Sequence, residues 1–232
     1  MKANRLGFTI VELTLAIAFI GILLIVVLTT AVGLGRTYQK GMTLRDVNQA
    51  GREVSDTMRR DIASASPSQL TVKIFNGSSS PETARICTGS VSYLLNFASY
   101  LNNPRGQLIK DSNQANAKAV HLARVVDNGG RNCQPNASGQ YSMYVIGDNQ
   151  QELLSAADGD SQNLAVHEFS LGAVTEMDDS KLYRLFLRLG TNQRDSVDVD
   201  RCVNPNQTSS DFDYCALYDF ETIIRAGYRS NK

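Results

Sequence analysis

One carboxylate stands inside an otherwise apolar stretch of this chain. It is Glu12, within residues 6–28, LGFTIVELTLAIAFIGILLIVVL. From Leu13 to Gly35 there is no charge at all. A carboxylate at mid-bilayer costs about 2.5–3.5 kcal/mol on insertion scales, and an acid in such a segment ordinarily has a partner. The chemistry open to Glu12 is ion pairing with a cation brought to it. Because it lies near one end of the run, plain reach into the headgroup region is the alternative.

Four cysteines, Cys87, Cys133, Cys202 and Cys215, form the second reactive set, all downstream of the apolar run. None makes a CxxC pair, and His121 and His167 are near none of them in sequence, so zinc-ligand spacing is missing. An even number in an exported domain reads as disulfides. Three connectivities exist. The pairing Cys87–Cys133 with Cys202–Cys215 is favoured because it closes two local loops; four buried thiols are the alternative.

Other chemistry is sparse. Asp158-Gly159-Asp160-Ser161-Gln162-Asn163 has oxygen-rich spacing suggestive of calcium, but lacks the full EF-hand pattern and its closing Glu. A solvated turn is the preferred reading, so no cofactor and no metal site is expected, with calcium at Asp158 and Asp160 as the minor option. Asp195, Asp198 and Asp200 read the same way. No GxSxG or HExxH motif accompanies the two histidines, so no catalytic residue is assigned and the protein is not expected to be an enzyme. Asn76, Asn136 and Asn206 begin sequons that mark exposed loops. Tyr93, Tyr100, Tyr141 and Tyr144 are read as fillers of strand faces, with a binding face as the alternative.

The apolar run is long enough to cross the roughly 30 Å hydrocarbon core as a helix. Lys2 and Arg5 give it a basic leader, and Thr29-Thr30-Ala31 passes as a small-residue cleavage site, yet the run exceeds the h-region of about 7–15 residues in a secretory signal. The helix continues beyond it, since Leu44, Val47, Gly51, Val54, Met58 and Ile62 trace one apolar stripe. Pro67 stops it, because a proline disfavours helix at the residue before it. From Phe8 to about Ala63 such a helix is roughly 80 Å long at 1.5 Å per residue. Its second half needs a cover, and a sheet is the natural one.

Gly7-Phe8-Thr9-Ile10-Val11-Glu12-Leu13, behind a short basic leader and ahead of an apolar helix, resembles the processing site of the type IV pilin and pseudopilin superfamily. The resemblance implies cleavage between Gly7 and Phe8 by a prepilin peptidase and N-methylation of Phe8. It also implies pairing of Glu12 with the Phe8 amine of a neighbouring subunit. It covers about the first quarter of the chain closely. One departure is the missing helix-breaking proline that major pilins often carry at the far end of the run; here Thr29-Thr30 stands there.

Beyond the helix, alternation and turn clusters predict strands at 69–75, 90–97, 119–127, 141–146, 163–171, 181–189 and 217–225. Together with the helix this is an α+β fold, a long N-terminal helix packed on a mostly antiparallel sheet. That is also the pilin architecture. Val54–Ile62 and Phe220–Arg225 are similar to segments of the J-type pseudopilins and W-type minor pilins. The expected organisation is a leader at 1–7, a transmembrane and assembly helix at 8–35, its amphipathic continuation at 36–65 and a β-rich head at 66–232.

Charge is balanced, 23 basic residues against 23 acidic, so nothing draws the protein to nucleic acid by bulk electrostatics. Basic residues flank the apolar run on both sides, and orientation must come from the cysteines: disulfides place the head outside the cytoplasm. The expectation is a structural subunit of a pilus or pseudopilus, minor or initiating rather than the main repeating one. It would start as a single-pass inner-membrane protein and end in an extracellular or periplasmic filament. Its implied partners are the prepilin peptidase, other pilin or pseudopilin subunits and an inner-membrane assembly platform. The alternative is a membrane-anchored binding protein or adhesin that never polymerises.

Overall fold

The computed structural model describes residues 9–77, 81–154, 163–177, 180–192, 197–198, 201–202 and 215–227. The chain is an α+β protein in which one long helix, α1 (Ile10–Ser64), lies on antiparallel sheets. Thr9 caps its N-terminus and accepts the Glu12 N–H at 3.2 Å, while the Glu12 carboxylate accepts the Thr9 N–H at 3.3 Å. This reciprocal box satisfies two of the donors that a helix start leaves unpaired. At the other end Ala65 is extended, two residues before Pro67. Its carbonyl is taken by the Gly227 N–H at 2.9 Å, which ties the helix end to the end of the last strand.

Five strands form the first sheet in the order β1 (Thr71–Asn76), β2 (Pro81–Cys87), β3 (Val91–Asn96), β4 (Leu122–Val126), β5 (Asp148–Glu152), each antiparallel to its neighbour. Between β3 and β4 lies a short helix, α2 (Ala98–Asn102), and between β4 and β5 a 3-10 turn at Arg131–Cys133. The second sheet pairs β6 (Leu164–Met177) with β7 (Ser180–Thr191) and β7 with β10 (Leu217–Ala226), giving the order β10-β7-β6. A parallel bridge from Phe97 to Val166 joins the two sheets, and β8 (Val197–Asp198) pairs with β9 (Arg201–Cys202) as a small ribbon.

The buried stripe of α1 is Thr43, Val47, Gly51, Val54, Met58 and Ile62. The sequence reading put Leu44 on it, but Leu44 is 44 % exposed. One residue turns the helix by about 100°, so the face that holds Val47 and Gly51 extends back to Thr43. Val54, Met58 and Ile62 meet Ile86, Tyr93, Leu95, Leu185, Leu187 and Ile224 in one core. Each such fully buried aliphatic side chain stabilises the fold by about 1.5–3 kcal/mol.

Alternation sets Val91, Tyr93, Leu95 and Phe97 on one side of the strand expected at 90–97, yet in β3 the residues between them are buried too. The reason is a second cover. Ile109, Val120 and Val145, on the irregular segments after α2 and after the 3-10 turn, pack with Leu94, Ala123 and Val125 on the sheet face away from α1. Buried Asn96 pins this cover: its amide donates to the carbonyls of Ile109 and Val120 at 2.9 and 2.7 Å and accepts the Ile109 N–H at 2.9 Å.

Four strands, β2, β5 and the two-residue β8 and β9, lie outside the expected ones, and one expected strand does not form. No strand is expected between 75 and 90, yet Pro81–Cys87 forms the buried strand β2, with proline in its first position where no ladder donor is needed. Tyr141–Ile146 is not a strand; only Tyr144 makes a bridge, to Lys110. The strand in this region is the polar β5, an exposed sheet edge whose DNQQE sequence carries no alternation to read.

Candidate membrane and assembly helix

Every large apolar side chain from Ile10 to Leu34 is at least half exposed, with Ile10 at 82 % and Leu34 at 73 %. This part of α1 touches none of the sheet core, which begins at Val47. A contiguous apolar surface of that size marks a membrane or a partner. At 1.5 Å per residue the segment is about 37 Å long, more than the hydrocarbon core. It is the one helix among the described residues long and apolar enough to cross a membrane.

Its hydroxyls are already satisfied within the helix. Thr14 donates to the Val11 carbonyl at 3.0 Å, Thr29 to Val26 at 2.9 Å, Thr30 to Val27 at 2.8 Å and Thr37 to Gly33 at 3.0 Å. These bonds let the threonines sit in hydrocarbon without outside partners. Glu12 differs. Its carboxylate, on the first turn of α1, accepts the Thr9 N–H and, at 3.1 Å, the Thr9 hydroxyl, both on the same Oε2. A carboxylate has about four acceptor positions, so Glu12 retains capacity for a cation. The helix N-terminus itself favours the negative charge. Gly7 and Phe8 lie outside the described residues, as do Asp158, Asp160, Asp195 and Asp200.

The head is cross-linked twice. Cys87, ending β2, bonds to Cys133 of the 3-10 turn, and Cys202 of β9 bonds to Cys215 just before β10. Around the first bridge sits fully buried Asp127, which accepts bonds from the Ser92 hydroxyl (2.7 Å), the Arg131 N–H (3.0 Å) and the Asn132 N–H and amide (2.9 and 2.8 Å). Burial alone would raise its pKa, but bonds from Asn132, Ser92 and Arg131 more than offset this and hold it below the usual carboxylate value. Nearby Arg85 is buried between the Phe75 and Tyr141 rings, 5.9 and 5.6 Å from their centroids, and donates to the carbonyls of Asn132 and Ser142. Burial lowers its pKa to about 10.

A second cluster docks the helix on the first sheet. Asp61 of α1 takes two bonds from Arg124 of β4 and one from the Tyr93 hydroxyl of β3. The hydrogen bond to Asp61 pushes the Arg124 pKa up, and burial together with the Asp61 charge pushes Tyr93 up. Asp61 lies next to Ile62, off the apolar stripe of α1; only the long-range pairing with Arg124 gives it a role, and no local pattern announces that. Both histidines serve the backbone: the His121 Nδ1 is 2.5 Å from the Leu164 carbonyl, and the His167 Nε2 is 3.1 Å from that of Thr191. Beside His121, Glu152 accepts the His121 and Leu122 N–H groups, and burial raises its pKa. Among the described residues no three His, Cys, Asp or Glu side chains gather as metal ligands.

The arrangement, a long N-terminal apolar helix on antiparallel sheets, is pilin-like in general form. No family model, curated protein or solved structure matches the chain. One helix able to span a membrane and two disulfides fit a membrane-attached protein whose head lies in an oxidising compartment.

Proposed function

We propose that this chain is a structural subunit of a type IV pilus or pseudopilus filament. A prepilin peptidase cuts it between Gly7 and Phe8, Phe8 is N-methylated, and an inner-membrane platform assembles it with other pilin-like subunits through α1. The head is extracytoplasmic from the start and travels with the filament. Its size supports a minor or initiating place rather than the main repeating one.

The observation that carries the reading is the position of Glu12. It is the single charged residue on an apolar helix segment exposed from Ile10 to Leu34, and it sits on the first turn. An amine and a carboxylate brought together in a filament core offset part of each other's desolvation, whereas either alone is costly. The Glu12 carboxylate therefore favours a stagger that sets a neighbour's Phe8 amine beside it.

The test separates insertion from assembly. Glu12→Ala should reach the membrane at wild-type level but fall out of sheared filament fractions by about tenfold or more, the loss expected from removing one partner of a desolvated ion pair. Normal incorporation of that variant would end the pairing mechanism; a wild-type chain that is itself missing from the filament fraction and keeps its leader would favour the non-polymerising anchored binding protein.

A further inference from the structure

On the face of the first sheet away from α1, the irregular segments line an open groove of about 610 Å³. That is within the size range of small-ligand sites, about 300–1,000 Å³. Its lining is unusual in chemistry. Gln107, Asn113 and Gln114 bring three carboxamides, Tyr144, a residue 37 % exposed, brings a ring, Leu108 an apolar wall and Lys110 the single charged side chain. Among the described residues none of the three carboxamides is spent on another protein group.

The scaffold under these groups is fixed. The Lys110 N–H donates to the Met143 carbonyl at 3.0 Å and the Lys110 carbonyl accepts the Val145 N–H at 2.9 Å. Asn96 holds Ile109 from below, and the Tyr100 hydroxyl donates to the Gln107 carbonyl at 3.3 Å. The Ser142 hydroxyl donates to the Tyr144 carbonyl at 2.9 Å, and the Ser142 carbonyl is held in turn by buried Arg85. Side chains mounted on a pinned backbone are pre-organised for a ligand.

We infer that this groove binds a short uncharged oligosaccharide. Each sugar hydroxyl both donates and accepts, and a carboxamide is the side chain that offers two donors and an acceptor together. The apolar face of a pyranose ring suits an aromatic ring such as that of Tyr144, which lines the groove and is partly exposed. Competing ligands fit less well. A polyanion needs a row of cations, and Lys110 stands alone in the lining. An extended peptide needs a free strand edge, and Lys110 is bridged on both sides, to Ala119 and to Tyr144. Since α1 packs on the opposite sheet face, ligand and helix partners do not compete for surface.

The full chain, held in a zwitterionic detergent without sugar headgroups, would be titrated calorimetrically with triacetylchitotriose, maltotriose and lacto-N-tetraose. A heparin tetrasaccharide and an extended Ser-Thr-Val peptide would serve as comparison ligands. Saturable binding of at least one of the three uncharged sugars is expected. Tyr144→Ala should weaken it by about tenfold, the value of one stacked ring, with the melting temperature unchanged. The double variant Gln107→Ala/Asn113→Ala should weaken it at least as much. Binding of none of the three, binding that survives both variants, or binding of only heparin or peptide would overturn the inference. Glu12→Ala should bind sugar normally, so a failure here is distinguishable from a failure of filament assembly.

Discussion

Asp61, near the end of α1, and Arg124, in the middle of β4, form a two-bond pair, Nε to Oδ2 at 2.8 Å and Nη2 to Oδ1 at 3.1 Å. The Tyr93 hydroxyl donates to the same Oδ2. The pair is mostly but not wholly shielded from water. Removing one partner leaves the other charge mostly but not wholly buried, so Asp61→Ala should cost about 2–3 kcal/mol, less than for a fully buried pair. Chemical denaturation of the full chain in detergent would measure it. The double variant with Arg124→Leu should recover part of the loss; a strictly additive cycle would show that the contact does not couple helix and sheet.

Gly51 fixes how closely α1 approaches β10. A Cβ built on Gly51 would lie 2.0 Å from Phe220 Cε2, far inside contact distance. Gly51→Val should therefore lower the melting temperature, by an overpacking cost of about 1–3 kcal/mol. Adding Phe220→Ala should restore part of it, because the ring is the obstacle. Gly51→Val alone melting like wild type would contradict the close approach.

The two disulfides should differ in worth. They close sequence separations of 46 and 13 residues. On the chain-entropy scale the longer loop gives about 1 kcal/mol more stabilisation. Replacing Cys87 and Cys133 by serine should accordingly lower the melting temperature more than the same change at Cys202 and Cys215. The first pair also holds the 3-10 turn beside Asp127, which widens the difference. Thermal melts of the two double variants decide it.

His167 gives the head an acid-sensitive component. Burial, helped by nearby Arg188, pushes its pKa down to about 4 despite the bond to the Thr191 carbonyl. A histidine held neutral in the fold favours folding fully above its unfolded pKa of about 6.5. That contribution is lost as pH falls from about 6.5 towards 4, because the unfolded chain takes up the proton first. The loss is on the order of 3 kcal/mol. His167→Gln should flatten the melting-temperature profile between these two pH values and leave it unchanged near pH 8.

Much of this fold was legible because two periodicities are strong. The uncharged run after Glu12 and the stripe through Val47, Val54, Met58 and Ile62 define α1, and alternation in Tyr183, Leu185, Leu187 and Leu189 defines β7. β2 escaped because Arg85, a charge, sits in the middle of a buried strand, and its partners Asn132 and Ser142 are about fifty residues away. β5 escaped because an exposed edge strand needs no apolar residue. The Asp61–Arg124 pair and the Asn96 anchor are likewise long-range, and local patterns are silent about them. The groove of Gln107, Asn113 and Tyr144 reads as loop sequence until Lys110 is seen paired on both sides.

The most direct measurement of the central proposal is the N-terminus of the protein taken from its native membrane, by intact mass and fragmentation. A chain that begins at N-methylated Phe8 is the expected result, and it would make Glu12 pairing the next step to measure. A chain that still begins at Met1, or one cut near Ala31, would contradict filament assembly through α1 and leave an ordinary anchored or secreted domain.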